Sequence, residues 1–278
     1  STEPACIINR TLAERSGPIV PLIAETGGQN AMIVDSTALP EQVVADVITS
    51  SFQSAGQRCS ALRVMFVQDG IADRLLTMLR GAAETLKLGD PALLATDVGP
   101  VIDDEAKAML EAHAARMARE GTERFIVPMG EDCARGSFFA PRAFEIDRIG
   151  RLEREVFGPI LHIVRFSAGR LDQVLDAIEA TGYGLTLGVH TRIERTARQI
   201  YQRLGIGNTY VNRNMIGAVV GVQPFGGQGL SGTGPKAGGP HYLYRFATER
   251  VLTVNTTAAG GNASLVSMGE DDPRIAAQ

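Results

Sequence analysis

The sequence predicts an α/β fold in which a mostly parallel sheet is flanked by helices. Short apolar runs alternate with amphipathic helical patterns along most of the 278 residues. Connections of helix length between strands are typical of parallel sheets, in which both faces of each strand are covered. The hydrophobic share of 44% and the charged share of 21% are those of an ordinary globular domain.

Short runs of apolar and β-branched residues are predicted to form the strands of this sheet. Uninterrupted runs of this kind are typical of strands that are buried on both faces. The predicted strands are residues 31–34, 63–67, 125–127, 161–164, 187–190 and 209–211.

Helices are predicted where apolar residues recur three or four positions apart. In one of them Pro40 lies near the start, where its missing N–H costs nothing. A glycine follows the last turn of three of them, at positions 89, 121 and 205, as a helix stop. The predicted helices are residues 40–55, 71–86, 103–120, 171–180 and 193–204, and Cys6 lies on a further amphipathic segment.

Residues 250–255 alternate in polarity and predict a lone terminal strand with no hairpin partner beside it. Such a strand often pairs with another chain or with a distant sheet edge, so we expect a homo-oligomer joined through it. The residues beyond Met268 are expected to be frayed.

Composition and charge exclude several classes of protein. The formal charge of −4, with no basic block, argues against a nucleic-acid partner. No apolar run reaches the ~20 residues that a membrane helix needs, and the first residues lack the pattern of a signal peptide. The three cysteines and four histidines show no metal-ligand spacing. These features predict a cytoplasmic protein without a metal site.

The first candidate motif is Glu25-Thr26-Gly27-Gly28, which lies just before a predicted strand. Two glycines allow the backbone to turn sharply and to approach a ligand closely. The alternative interpretation is an ordinary loop that carries a solvated acid.

The second candidate motif, residues 56–60 (GQRCS), lies between a predicted helix and a predicted strand. A thiolate at Cys59 would gain from nearby backbone N–H groups, and from Arg58 if that side chain turned toward it. The alternative is that Cys59 is a small buried apolar residue, the usual role of a free cysteine. We assign that structural role to Cys6 and to Cys133, neither of which has a base nearby in the sequence.

The third candidate motif, residues 155–159 (EVFGP), directly precedes a predicted strand. Glu155 can accept hydrogen bonds from both hydroxyls of a ribose, and Phe157 can pack against a planar ring or a sugar face. The alternative is a surface acid beside a core phenylalanine. A fourth segment, residues 227–232, matches G-x-G-x-x-G, but it neither follows a strand nor opens a helix. We therefore predict a close backbone approach there and no pyrophosphate loop.

Together and in this order, the three motifs resemble those of the aldehyde dehydrogenase superfamily. They read AETGGQN, SAGQRCS and EVFGPIL, and Glu25, Cys59 and Glu155 are 34 and 96 residues apart. Residues 212–246 are similar to one branch, the L-glutamate γ-semialdehyde (Δ1-pyrroline-5-carboxylate) dehydrogenase domain of bifunctional proline utilization A proteins. The resemblance implies an aldehyde dehydrogenase-like catalytic domain, which belongs to proline catabolism.

The resemblance implies a reaction in which Cys59 attacks a small-molecule aldehyde and forms a thiohemiacetal. NAD+ then takes the hydride, and Glu25 activates the water that hydrolyses the resulting thioester. A carboxylate suits this step if burial raises its pKa toward neutrality. The backbone N–H of Cys59 would donate to the oxyanion.

The resemblance also implies the residues that bind cofactor and substrate. The cofactor residues are Glu155 on the nicotinamide ribose, Phe157 beside the nicotinamide, and Ser1 and Gly27 near the remainder of the NAD molecule. The residues expected to hold the α-carboxylate of the substrate are Ser60 and the backbone N–H groups of Gly217 and Ala218, and Phe225 would pack on its aliphatic chain. An ordinary tight turn remains the alternative for Gly217 and Ala218.

The resemblance implies three parts: residues 1–27 as the end of a dinucleotide-binding domain, 28–236 as the catalytic domain, and 237–278 as a return segment with the oligomerisation strand and tail. Members of the family carry a complete cofactor domain before the glutamate motif, and here it is largely absent. We therefore expect the isolated chain to be inactive. FAD would be needed only on a separate proline dehydrogenase domain of a bifunctional parent.

Three alternatives remain at the level of sequence. The chain could act on another aldehyde. It could be a cysteine acyl-transfer hydrolase without redox function, which would need a histidine near Cys59. It could also be a non-catalytic piece that serves in oligomerisation through residues 250–255.

Overall fold

A seven-stranded sheet runs through the first of the two compact units of the chain, Ser1–Tyr242. The structure, a computed structural model, describes residues 1–219 and 221–255. The strands are β1 (Ala31–Val34), β2 (Val64–Gln68), β3 (Thr122–Ile126), β4 (Arg142–Glu145), β5 (Ile160–Phe166), β6 (Tyr183–Gly184), β7 (Thr186–His190), β8 (Asn208–Val211) and β9 (Gln228–Gly229). The sheet order is β3-β4-β5-β2-β1-β7-β8, while β6 and β9 form a separate antiparallel pair.

Neighbouring strands of the large sheet are parallel except for the antiparallel edge pair of β3 and β4. Strands β1 and β7 are buried at every position, as expected for central strands that are covered on both faces. The prediction of a mostly parallel, buried sheet is confirmed.

Helices flank this sheet and supply much of its core. They are α2 (Pro40–Phe52), α3 (Asp69–Glu84), α4 (Asp104–Glu120), α5 (Leu171–Glu179) and α6 (Glu194–Arg203). A further helix, α1 (Thr2–Glu14), has no buried residue. Helices α2 and α3 pack against each other, and both contact β5. Their buried side chains include Val47 and Phe52 of α2 and Leu75 and Leu79 of α3. The helical periodicity of the sequence marked these inward faces correctly.

The structure differs from the sequence-based prediction in several places, among them the short strands β6 and β9, which were not predicted. Strand β4 was missed because its sequence, RAFE, is short and half polar. The predicted helix from Pro40 to residue 55 ends at Phe52 and continues as a 3-10 turn over Gln53–Gly56. Residues 250–255 form no strand within the single chain, and their predicted pairing with a second chain stays a prediction. A strand requires a second backbone segment beside it, and alternation in polarity alone cannot supply one.

Residues 250–255 belong to the second unit, Leu243–Gln278, whose described part also contains a 3-10 turn at Leu243–Phe246. The predicted frayed tail beyond Met268 lies outside the described residues. Among the helices that the structure describes, none is long and apolar enough to cross a membrane.

The topology brings the three candidate motifs to one edge of the sheet. The first motif, residues 25–28, precedes β1; the second, residues 56–60, precedes β2; and the third, residues 155–159, precedes β5. These strands are adjacent and parallel in the order β5-β2-β1. Because parallel neighbours begin at the same edge, the segments that lead into them converge at the amino ends of the strands.

Candidate active site

Six of the residues singled out in the sequence line one cavity of about 770 Å³. They come from all three motifs and from the first residue of the chain: Ser1, Glu25, Gly27, Cys59, Glu155 and Phe157. Other lining residues include Met109, Arg154 and Tyr183. The fold therefore places the thiol of Cys59, the carboxylates of Glu25 and Glu155 and the ring of Phe157 around one space large enough for a small molecule.

The cysteine loop begins with a tight left-handed turn after α2. Ser54, Ala55 and Gly56 have φ values of 55°, 52° and 64°, which are unusual for residues that carry a Cβ. A Cβ on Gly56 would lie 2.4 Å from the carbonyl oxygen of Gly158. This turn is therefore packed directly against the third motif, and the side chain of Cys59, which follows it, opens onto the cavity.

Asn30 holds the backbone around Cys59 and was not singled out in the sequence. Its Nδ2 donates to the carbonyl oxygens of Cys59 and Ala61 at 2.7 and 2.9 Å. Its Oδ1 accepts a hydrogen bond from the N–H of Thr186 at 3.2 Å. One buried amide thus ties the nucleophile loop to β7. The sequence signal that could have identified Asn30 is a polar residue directly before an apolar strand.

The thiol of Cys59 lies in an environment that disfavours its ionisation. Partial burial raises the pKa of Cys59, and the negative charges of Glu155 and Glu25 raise it further, while the backbone N–H of Ser60 lowers it. The expectation that Arg58 could assist the thiolate is not met, because its Nε donates to Ser54 Oγ at 3.2 Å. Arg63 is the cation that interacts with the cysteine.

Arg63 is a second organising residue that the sequence did not mark as functional. Its side chain is 1% exposed, and its Nη2 lies 3.3 Å from Oε1 of Glu155. Its guanidinium also donates to the carbonyl oxygens of Gly56, Gly158 and Arg58 at 2.7, 3.1 and 3.1 Å. It therefore fastens the second motif to the third. The sequence signal that could have identified Arg63 is a charged residue at the start of the apolar run RVMFV.

The carboxylate of Glu155 is positioned from two sides. Burial raises its pKa, while the charge of Arg63 and the backbone N–H of Gly28 lower it. The ring of Phe157 is 39% exposed, and the Arg63 guanidinium lies 5.1 Å from its centre. The acid and the aromatic ring are thus both held by Arg63 and both face the cavity.

Glu25 extends from the segment before β1, and its backbone pairs with Gly232. Burial raises the pKa of Glu25, and the backbone N–H of Ala237 acts in the opposite direction. A carboxyl group with a raised pKa is better suited to accept a proton from water near neutrality.

The predicted substrate residues lie outside the lining of this cavity. Ser60 is buried, and its carbonyl oxygen accepts from Thr186 Oγ1 at 3.2 Å. Gly217 is exposed with φ of 73°, and a Cβ there would meet nothing within 4 Å. Ala218 follows it and is half-buried. Phe225 pairs through its backbone with Ala237.

No histidine lines the cavity around Cys59 in the described part of the chain. His113 and His162 are buried and bonded to each other, with Nε2 atoms 2.8 Å apart, and Nδ1 of His162 lies 3.0 Å from the carbonyl oxygen of Arg63. His190 lies 3.5 Å from Asp46. This arrangement disfavours a cysteine hydrolase that depends on a Cys–His pair.

The glycine-rich segment 227–232 packs closely against neighbouring backbone. Gln228–Gly229 forms β9 and pairs with β6. A Cβ on Gly227 would lie 2.9 Å from the carbonyl oxygen of Gly184. Within residues 1–219 and 221–255, no group of three His, Cys, Asp or Glu side chains could hold a metal ion.

The sequence matches one protein family and is similar to known proteins along most of its length. A model described as "Aldehyde dehydrogenase family" matches residues 1–252. The chain is 56% identical over 258 residues to the bifunctional protein PutA of Escherichia coli K12, covering 90% of this chain and 20% of that protein.

Two solved structures are similar in both sequence and shape. A crystal structure of bifunctional proline utilization A is 64% identical with a TM-score of 0.89, and the match covers 93% of this chain and 26% of that one. The 1-pyrroline-5-carboxylate dehydrogenase from Thermus with bound NAD is 32% identical with a TM-score of 0.81, and the match covers 88% of this chain and 48% of that one. The chain thus spans between a fifth and a half of these relatives.

Proposed function

Because the chain belongs to the aldehyde dehydrogenase family, we propose that it forms the catalytic part of an enzyme that oxidises L-glutamate γ-semialdehyde to L-glutamate with NAD+. The observation that carries this proposal is the convergence of Cys59, Glu25 and Glu155 on one cavity. The choice of substrate is supported by similarity to proline utilization A and 1-pyrroline-5-carboxylate dehydrogenase.

Cys59 is the nucleophile in this proposal. Its sulfur attacks the aldehyde carbon and forms a thiohemiacetal, whose oxyanion is stabilised by the backbone N–H of Cys59. Because the pKa of Cys59 is raised, the thiol must lose its proton during or before the attack. Glu25, whose own pKa is raised, is a suitable acceptor for that proton.

The cavity fits the nicotinamide end of NAD+. The exposed ring of Phe157 offers a flat apolar surface, and the carboxylate of Glu155 can accept the two ribose hydroxyls. Ser1 and Gly27 line the same space and would approach the remainder of the cofactor. A bound NAD+ would supply the hydride acceptor for the carbon attached to Cys59.

Glu25 completes the reaction as the general base for hydrolysis of the thioester. Its carboxylate would take a proton from a water molecule, and that water would attack the thioester carbon and release glutamate. A carboxyl whose pKa lies above the ordinary value binds this proton more readily.

The α-carboxylate of the substrate would be held by Ser60 and by the amides of Gly217 and Ala218. The exposed position and positive φ of Gly217 support this role, because its backbone is open to a ligand. Phe225 would pack on the aliphatic part of the substrate. Exposed Val251 and Leu252 support self-association through residues 250–255.

The proposal is tested with a longer protein in which a cofactor-binding portion from the family precedes residue 1, here termed the extended protein. We expect it to produce NADH from glutamate semialdehyde, and the 278-residue chain alone to produce none. Cys59→Ala in the extended protein should abolish turnover, while Cys6→Ala on exposed α1 should retain it.

Each alternative has its own outcome in this assay. Equal turnover of glutamate semialdehyde and propanal would remove the substrate assignment and leave the dehydrogenase. Turnover that survives Cys59→Ala would remove the nucleophile. Thioester hydrolysis without any NADH formation would favour a cysteine acyl-transfer hydrolase.

A further inference from the structure

Helix α2 presents three polar side chains at intervals of four residues, Gln42, Asp46 and Ser50. Residues four apart lie on the same side of a helix, one turn above the other. We refer to these three residues as the α2 polar strip. The strip ends near the carboxyl end of the helix, from which the chain enters the Cys59 loop.

Two members of the strip, Gln42 and Ser50, bond to the backbone of residues 212–215. The carboxylate of Asp46 lies between them on the helix, 3.5 Å from Nε2 of His190. Gln42 Nε2 donates to the carbonyl oxygen of Asn212. The N–H of Met215 donates to Ser50 Oγ at 3.1 Å. The helix therefore holds this segment along two of its turns.

Ser50 connects this segment to the nucleophile loop. Its carbonyl oxygen accepts a hydrogen bond from the N–H of Leu62 at 3.0 Å, and its side chain is buried, with 1% exposed. Leu62 is three residues after Cys59, and Met215 is two residues before Gly217. Ser50 thus bonds to Leu62, close to the nucleophile, and to Met215, close to the amides of Gly217 and Ala218.

The held segment has little freedom at either end. Asn212 has φ of 52°, and its side chain bonds the N–H and the carbonyl oxygen of Thr191 at 3.0 and 2.9 Å. Met215 is fully buried and fills the space beside Gly188, where a Cβ would lie 3.2 Å from its sulfur. Beyond it, Gly217 is exposed.

We propose that the α2 polar strip positions the backbone of Gly217 and Ala218 relative to Cys59, and that it thereby sets the preference of the enzyme for aldehydes that carry a carboxylate. This inference rests on the proposed function, which assigns the carboxylate to those two amides. In this proposal the side chains of Gln42 and Ser50 touch neither substrate nor cofactor and act through residues 212–215.

The decisive variant is Ser50→Ala, and the chain supplies its matched control. Ser51 is the next residue on the same helix, is also 1% exposed, and its hydroxyl has no hydrogen-bond partner. Ser51→Ala therefore removes the same atom at the same burial without releasing residues 212–215. Both variants are made in the extended protein, and kcat and KM are measured for glutamate semialdehyde and for propanal, which lacks the carboxylate.

We expect Ser50→Ala to raise KM for the semialdehyde by about five- to tenfold, the effect of one lost hydrogen bond, with kcat and the constants for propanal little changed. Ser51→Ala should leave both substrates unchanged. Gln42→Ala removes an exposed member of the strip, so the fold should tolerate it. KM for the semialdehyde should rise in this variant too, by a smaller factor than in Ser50→Ala.

Two results would overturn the inference. One is a semialdehyde-to-propanal ratio that is equal in Ser50→Ala, Gln42→Ala and Ser51→Ala. The other is an equal loss for both substrates, which would indicate a general structural role for Ser50. Failure of the proposed function can be told apart from failure of this inference. If the proposed function is wrong, the unchanged extended protein itself shows no preference for the semialdehyde over propanal.

Discussion

The carboxylate of Glu155 occupies the space that a side chain on Gly27 would need. A Cβ built on residue 27 would lie 1.5 Å from Oε2 of Glu155, far inside van der Waals contact. Gly27 belongs to the motif before β1, and Glu155 to the motif before β5. The absence of a side chain at one motif is therefore what allows the acid of the other to lie beside Cys59.

Gly27→Ala should displace Glu155 and raise KM for NAD+ by about tenfold or more, since hydrogen bonds to charged groups contribute about 1.5–3 kcal/mol. Steady-state NADH formation by the extended protein measures it. Gly81→Ala is the control, because a Cβ on Gly81 of α3 meets nothing within 4 Å. An unchanged KM in Gly27→Ala would show that Glu155 does not bind the cofactor.

Glu25→Gln should slow thioester hydrolysis by about 10²-fold or more, because the general base is lost. Rapid mixing with saturating NAD+ should then show a burst of one NADH per site followed by a stall. In the unchanged protein, the hydrolysis rate should fall as pH drops through the raised pKa of Glu25. A variant with steady turnover and no burst would contradict the assignment.

Arg63→Met should destabilise the chain by about 3–5 kcal/mol, because it leaves Glu155 without its cation and three carbonyl oxygens without a donor. Urea unfolding of the 278-residue chain measures this change. Arg58→Met is the control, since its guanidinium bonds one exposed serine, and it should cost less than about 1 kcal/mol. Equal losses in the two variants would contradict the role given to Arg63.

The buried pair of His113 and His162 should make stability depend on acidity. Burial lowers the pKa of His162 to about 3 and that of His113 to about 4, each from 6.5. At pH values between these lowered pKa values and 6.5, the histidines of the unfolded chain bind protons that those of the folded chain do not. The stability that the pair contributes is therefore fully present above pH 6.5 and is lost as the pH falls. By pH 5 the folding equilibrium constant should have decreased by about tenfold or more.

Urea unfolding at several pH values tests this dependence. His162→Gln should flatten the loss of stability between pH 6.5 and pH 4, although its stability at neutral pH is lower than that of the unchanged chain. A slope that is identical in the variant and the unchanged chain would show that other groups govern acid unfolding.

The local sequence predicted the architecture because strand and helix periodicity is read within a few neighbouring residues. The run at Ala31–Val34 and the spacing of Val43, Val47 and Phe52 both marked their elements correctly. Residues 250–255 carried a strand pattern without a partner in the single chain. Alternation reports only that a segment could pair, whereas pairing depends on a second backbone.

By itself, the sequence determined the α/β class, the order of the three motifs and six of the residues that line the cavity. Only the tertiary structure decided the roles of Asn30, Arg63 and Ser50. Arg63 and Glu155 are 92 residues apart, and Ser50 and Met215 are 165 apart. Such contacts arise when adjacent parallel strands bring distant loops to one edge, and burial then requires that each polar group find a partner there.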